Sequence, residues 1–344
     1  MNKKKVLWSL LFLVIAGLTI WAVASWNKEF SIEHFLSFIK ASNKIGILGA
    51  IISMLGFIFF EGLAILCVLK GLGFKKKAYQ GLIYSGADVY FSAITPSASG
   101  GQPASAFFMM KDKIPGPVVT VTLLVNLIMY TIALLSLGGL CILFKFDVFM
   151  KFSVLSKVFI LIGIMVLLGL CIIFLLLLKN AKVLYTLCDR ILYFLEKMHL
   201  LKKENSIRNR ILDTMDEYKD CSKAIQGKKR MLLETLLWNI CQRLSQFLVV
   251  FMVFLAQKEG IEKAIEAFFI QCFVSLGSNC VPIPGAMGVA DMLMVDGFSQ
   301  MMSRNSAVMM ELLCRSISFY GCIIVSLGIV AITLLIQKIR SIKC

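Results

Sequence analysis

Long apolar runs separated by short basic segments set the first reading of the chain. Val6–Trp26, Ile45–Leu69, Val118–Phe144, Val158–Leu178, Met231–Ala256 and Ala307–Ile336 are each apolar and long. Each can cross a bilayer, which takes about 20 residues of helix. Two further segments, 78–110 and 264–302, are moderately apolar but interrupted. The first breaks at Thr95–Pro103, TPSASGGQP, and the second at Pro282–Asp291, PIPGAMGVAD; together they hold four of the six prolines. Irregular backbone cannot face lipid, where its unpaired N–H and C=O groups would each cost several kcal/mol. It must be buried in protein or line a wet cavity. The pattern therefore predicts an all-α, polytopic helical membrane protein with about six full spans and two re-entrant broken hairpins. Breaks at corresponding places in two halves predict an inverted repeat with a transport site between them.

The basic segments orient this plan. Residues 3–5, 70–77, 111–113, 179–230 and 338–343 fall on one side of the membrane and hold most of the 36 Lys and Arg. The positive-inside rule makes that side cytoplasmic, with both termini inside and the chain multi-pass in the cell membrane. The first hairpin then enters from inside and the second from outside. Val6–Trp26 is longer than a signal-peptide core of about 7–15 residues. It reads as an uncleaved span, despite Ala22-Val23-Ala24. One integral membrane domain covers 1–344, with 179–230 as a cytoplasmic amphipathic loop inside it. That loop carries thirteen Lys and Arg against seven Asp and Glu. Leu184, Leu187, Ile191, Leu192 and Leu195 give it the spacing of a helix lying on the membrane surface.

Composition narrows the function. The chain is 59% hydrophobic and 16% charged, with mean hydropathy +0.85, against about 25% charged in a soluble domain. The net charge of +16 comes with no nucleic-acid-binding motif, so it is read as membrane topology and no nucleic-acid partner is expected. Eleven cysteines form no C-x-x-C pair and lie mostly in apolar runs, where they behave as small hydrophobes. His34 and His199 have no partners at ligand spacing. No metal, cofactor or disulfide framework is expected. No P-loop, G-x-S-x-G or H-E-x-x-H occurs, so no catalytic residue and no direct ATP drive are assigned.

The breaks carry the candidate chemistry. In the first, Ser97, Ser99, Gly100, Gly101, Gln102 and Pro103 combine small residues, neutral donors and a proline suited to a first helical turn. The half-helix that starts there would aim N–H groups and a positive dipole end at the break, which suits a phosphate. Pro282, Pro284, Gly285, Gly288 and Asp291 repeat the arrangement in the second break. Ionisable groups at membrane depth mark a functional site or a buried pair. Glu61, Asp88, Arg243, Glu311 and Arg315 are such groups; Glu311 and Arg315 stand four apart on one helix face and can pair. Arg243 has no local partner, which fits it to a lipid phosphate or to Glu61 or Asp88 across the bundle. Asn126 and Tyr130 are placed to hydrogen-bond between helices. Gly163 is read as lipid-facing.

At the breaks the chain resembles the membrane region of bacterial lysylphosphatidylglycerol synthases and their stand-alone UPF0104-type relatives. The resemblance covers most of the chain. It is carried by SAITPSASGGQP (Ser92–Pro103), MMKDKIP (Met109–Pro115), VPIPGAMGVAD (Val281–Asp291) and Arg315 with Tyr320. Many relatives carry an Arg soon after the first motif, where Ala104–Phe108 has none, and a Glu where this chain has Asp291. The resemblance implies movement of an aminoacylated lipid across the bilayer; in the full-length synthases a separate cytosolic domain transfers lysine from lysyl-tRNA to phosphatidylglycerol. The chain ends eight residues after Ile336, so lysyl transfer is not expected of these residues.

The leading expectation is a lipid translocase. Its partner is a membrane lipid: an anionic or aminoacylated phospholipid, or a polyprenyl phosphate. The headgroup phosphate would lie between the breaks, with Arg243 or Arg315 supplying charge and Glu61, Asp88, Asn126, Glu311 and Tyr320 supporting it. The alternatives are a phosphatidylglycerol lysyltransferase or its accessory part, and a scaffold recruiting partners through 179–230. A homo-oligomer is compatible with all three.

Overall fold

The computed structural model describes residues 37, 39–95, 98–179, 190, 220–225, 227–279 and 281–343. The span expected at Val6–Trp26, both termini, His34, Ser97, His199 and most of the 179–230 loop lie outside these residues.

The described residues are mostly helical and contain no strand, with five helices long and apolar enough to cross a membrane. They are α1 (Lys44–Gly71), α4 (Gly116–Phe144), α6 (Val154–Lys179), α7 (Lys229–Ala256) and a last span built from α10 (Arg304–Arg315) and α11 (Cys322–Lys343). Each matches one of the predicted spans. Their start signals are local. Asn43 caps α1 by accepting from the Ile45 N–H at 2.9 Å, and Pro117 sits in the first turn of α4, where its missing N–H costs nothing.

α1 and α7 form the central pair. Glu61 meets Gln242, Cys67 meets Met231, and the Asn43 N–H donates to the Ala256 carbonyl at 2.7 Å. The register falls on one helix as it rises on the other, so the two run antiparallel along their whole length. Small residues let them touch: a Cβ on Gly46 would fall 2.7 Å from the Ala256 Cα. Close backbone approach of this kind is what holds helices together in lipid, where apolar contact alone gives little preference for protein over lipid.

Each central helix leads into a broken hairpin. α1 leads to α2 (Ala78–Ile94) and α3 (Gly101–Lys111); α7 leads to α8 (Ile261–Ser278) and α9 (Val289–Phe298). Because α1 and α7 are antiparallel, the hairpins enter from opposite ends, the arrangement of an inverted repeat. Eleven residues in α3 and ten in α9 give return legs of about 16 and 15 Å, half of the ~30 Å hydrocarbon layer. Both hairpins therefore turn inside the bundle. The base of the first is tied by Asp112, which accepts from Gln80 Nε2 at 2.6 Å and Tyr84 Oη at 2.5 Å.

The partners cross over between the halves. α2 packs on α1 and on α11, while α8 packs on α7, α6, α4 and the short α5 (Phe146–Lys151). The larger apolar core lies around α7, α8 and α9, where Phe254 and Phe298 meet edge to face at 5.0 Å between centroids. Gly163 does not face lipid. It is buried, and a Cβ there would overlap the Leu276 carbonyl oxygen of α8. It is a contact between span and hairpin; Gly139, exposed with nothing within 4 Å, is a lipid-facing glycine.

Candidate functional site

The first break folds around Asp88, on the last turns of α2. Thr95 Oγ1 accepts from the Gly100 N–H at 2.8 Å, closing the turn. α3 then starts with Gly101 packed so closely on Asp88 and Ser92 that a Cβ would overlap both side chains. Gly100 has φ −83°, so the close approach at Gly101, not a left-handed backbone, demands small residues here. Gln102 Nε2 donates to Asp88 Oδ2 at 2.7 Å and Ser92 Oγ donates to Asp88 Oδ1 at 3.0 Å. The carboxyl thus sits at the positive end of α3. Ser99 and Pro103 are exposed on the outer side of the turn.

The second break is pinned by the last span. Gly285 and Gly288 have φ 60° and 83°, a region glycine enters without strain. Pro284 opens a short 3₁₀ turn, Pro284–Ala286, that packs against α2, which brings the second break onto the first hairpin. Pro282 is exposed. Asp291 Oδ2 accepts from the Gly288 N–H at 2.9 Å, capping α9. Arg315 reaches over from α10: its Nε lies 2.9 Å from Asp291 Oδ1, and its Nη2 donates to the Gly285 carbonyl at 3.1 Å. Its guanidinium stands 4.5 Å from the Phe319 ring centroid, and Phe319 occupies the space a Gly285 Cβ would need. Phe319 and Tyr320 belong to a π-helical turn, Ser316–Gly321, where the widened ladder turns side chains out of the normal register. The predicted Glu311–Arg315 ion pair is absent among the described residues. Arg315 prefers Asp291 across the interface, and the buried Glu311 carboxyl lies within hydrogen-bonding range of Asp291.

Between the breaks lies a buried polar row. Arg243 is 3% exposed, and its Nη1 donates to Gln246 Oε1 at 2.8 Å and Tyr130 Oη at 3.2 Å. Its guanidinium is 4.3 Å from the Tyr130 ring centroid and 5.0 Å from that of Phe57. Both ring faces favour the cation. No carboxylate comes within ion-pair distance of it among the described residues. Tyr130 Oη in turn donates to Asn279 Oδ1 at 2.8 Å, where the second break begins. On the other side Gln242 Nε2 donates to Glu61 Oε2 at 3.0 Å, and the Glu61 and Asp88 carboxyls are in hydrogen-bonding range. The contacts run from Gln102 at the first break to Asn279 at the second, with neighbours Gln242 and Arg243 making the step across. Asn239 Nδ2 donates to Asn126 Oδ1 at 3.1 Å a turn away.

Gln242, Gln246 and Asn279 were not singled out from the sequence, and Ser92 and Asp112 entered only as parts of the motifs that carry the resemblance. A signal existed for the first two. Thr235, Asn239, Gln242, Arg243 and Gln246 recur at three- and four-residue steps, one polar stripe on an otherwise apolar helix. No group of three or more His, Cys, Asp or Glu that could hold a metal occurs among the described residues.

The sequence model described as "Lysylphosphatidylglycerol synthase TM region" matches residues 6–326. The chain belongs to this family. Both breaks, the α7 stripe, Arg315 and Tyr320 fall within the matched region, so the site described above is built wholly from the family's own segment. Compared with curated proteins, the chain finds no match. Membership and the five apolar spans make it a multi-pass membrane protein related to lysylphosphatidylglycerol synthesis.

Proposed function

We propose that the protein is a lipid translocase: it moves a phospholipid, aminoacylated phosphatidylglycerol included, or a polyprenyl phosphate between leaflets. One observation carries this reading. Two broken hairpins enter from opposite ends, and Arg243, linked to the second break through Tyr130 and Asn279, is a buried cation with no carboxylate in ion-pair distance among the described residues. A headgroup phosphate supplies what that cation lacks, a directly bonded anion and an acceptor for its unfilled Nε. Because both half-helix ends already hold an Asp, the phosphate competes with Asp88 and Asp291 there and finds its counter-charge at Arg243. The family supports a lipid substrate.

Proteoliposomes carrying a fluorescent anionic phosphatidylglycerol test the reading. Purified protein should accelerate exchange of the probe between leaflets. Arg243→Ala should slow it by about tenfold, the equivalent of ~1.4 kcal/mol, with Arg243→Lys between the two. Equal rates with and without protein would overturn the proposal. Lysyl transfer, the second reading, has the family's name in its favour. Formation of lysyl-lipid from lysyl-tRNA and phosphatidylglycerol by the purified chain would support it.

The same reading places the Lys70 end of α1 and the Lys229 end of α7 in the cytoplasm. A Lys229→Cys variant should react with a membrane-impermeant maleimide in inverted vesicles and not in intact cells. The reverse pattern would invert the topology.

A further inference from the structure

Glu61 on α1 and Asp88 on α2 are 7% and 6% exposed, and their carboxyls lie within hydrogen-bonding range of each other. A carboxylate has no donor, so two carboxyl groups hydrogen-bond only through a proton carried by one of them. The surroundings do not suit a metal cation. Gln242 Nε2 donates to Glu61 at 3.0 Å; Gln102 Nε2 and Ser92 Oγ donate to Asp88 at 2.7 and 3.0 Å. Sodium or calcium would need oxygens turned inward, and here the neighbours turn N–H and O–H groups in.

A second observation points the same way. Gln242 Oε1, on a residue 2% exposed, has no hydrogen-bond partner among the described residues, and neither does Arg243 Nε. The amide that serves Glu61 thus carries an unfilled acceptor, which a Glu61 O–H can fill when the proton sits on the Glu61 side of the pair and not between the two carboxyls. The facing groups complete the charge count. α7 contributes Arg243; α11 brings the Cys322 thiol to Glu61, and α4 brings the Tyr130 phenol to Arg243. With one proton on the pair, two carboxyls and one guanidinium sum to zero. Without it the cluster is negative.

We propose that Glu61 and Asp88 form a proton-binding site whose occupancy is coupled to lipid movement, so that proton and anionic headgroup travel together. The inference rests on the translocase reading. Asp88 also touches Gln102 and Gly101, the first turn of α3. A proton on the pair removes the negative charge that an incoming phosphate would meet at that turn. By linkage, the phosphate in turn tightens the proton. Each cycle takes one proton from one side and releases it to the other, with no covalent step.

The test uses proteoliposomes with fluorescent phosphatidylglycerol, at symmetric pH and with a pH gradient. For one proton per lipid, each pH unit should shift the final lipid distribution by up to about tenfold, towards the alkaline side. Asp88→Asn and Glu61→Gln should each remove this response. If the wild-type protein moves lipid with the same distribution at every gradient, or if a sodium gradient drives it and a proton gradient does not, the proposal is overturned. Infrared difference spectroscopy of the purified protein reads the site without transport. In wild-type-minus-variant spectra, one protonated-carboxyl C=O band should be lost in both variants, while the Glu311–Asp291 pair, which both keep, contributes equally to all three proteins. Its absence from the difference spectra at acid pH would overturn the proton site. A band without any lipid movement would support that site and sink the translocase reading instead.

Discussion

Gly285→Val is expected to abolish lipid translocation. Two costs meet at this position. A φ of 60° strains a β-branched residue by roughly 1–3 kcal/mol. The new side chain also collides with the Phe319 ring, which packs where its Cβ must go. The turn that touches α2 would be pushed away and Arg315 would lose the Gly285 carbonyl. Gly101→Val should do the same at the first break, by driving Asp88 and Ser92 off α3. Gly139→Val, on an exposed face with nothing within 4 Å, is the matched control and should retain the wild-type rate. Activity per purified molecule separates loss of a site from loss of fold. Adding Phe319→Ala to Gly285→Ala should restore part of the rate by relieving the collision while leaving the φ strain. Wild-type rates in both valine variants, with normal yield, would reduce the breaks to kinks.

Arg315→Ala should cost the most stability. It leaves Asp291 and Glu311 facing each other at membrane depth with no cation, and it frees the Gly285 carbonyl. Breaking a buried pair from one side typically costs about 3–5 kcal/mol. The Asp291 side chain is 28% exposed, which places the loss near the lower figure. The Tm in detergent should fall accordingly. Arg315→Gln combined with Asp291→Asn should recover much of it, because Glu311 then no longer faces a like charge and the amide introduced at position 291 can hydrogen-bond its carboxyl. A double variant as unstable as Arg315→Ala would mean that packing on Phe319, and not charge, holds the break.

The spans were legible because a bilayer allows few solutions: a run near 20 apolar residues is a helix that crosses. The breaks were legible because proline and glycine have few uses at that depth. What the sequence hid is who meets whom. Helical spacing pairs Arg315 with Glu311, but a long side chain at an interface takes the better partner, and Asp291 lies across it. Gly101 looks like a residue chosen for positive φ; it is needed because Asp88 lies against its backbone. Gly163 sits in a strongly apolar run and reads as lipid-facing until α8 is packed on it. Gln242 passed unnoticed beside Arg243, because a polar neighbour adds little to a linear pattern and much to a packed one. Ser97, the 179–230 loop and the first span stay as the sequence reading left them.

The antiparallel pairing of α1 with α7 has a consequence for biosynthesis. Glu61 and its partner Gln242 are 181 residues apart. At the ~5–20 residues per second of translation, the ribosome needs about 10–35 s to make the second after the first. Through that interval α1 stands in the bilayer with half of its contact surface bare, and an acidic side chain at membrane depth is costly. Asp88, only 27 residues behind Glu61, is the partner that arrives in time. The nascent first half can shield its acid within its own hairpin, and the seam with α7 closes later, like a clasp.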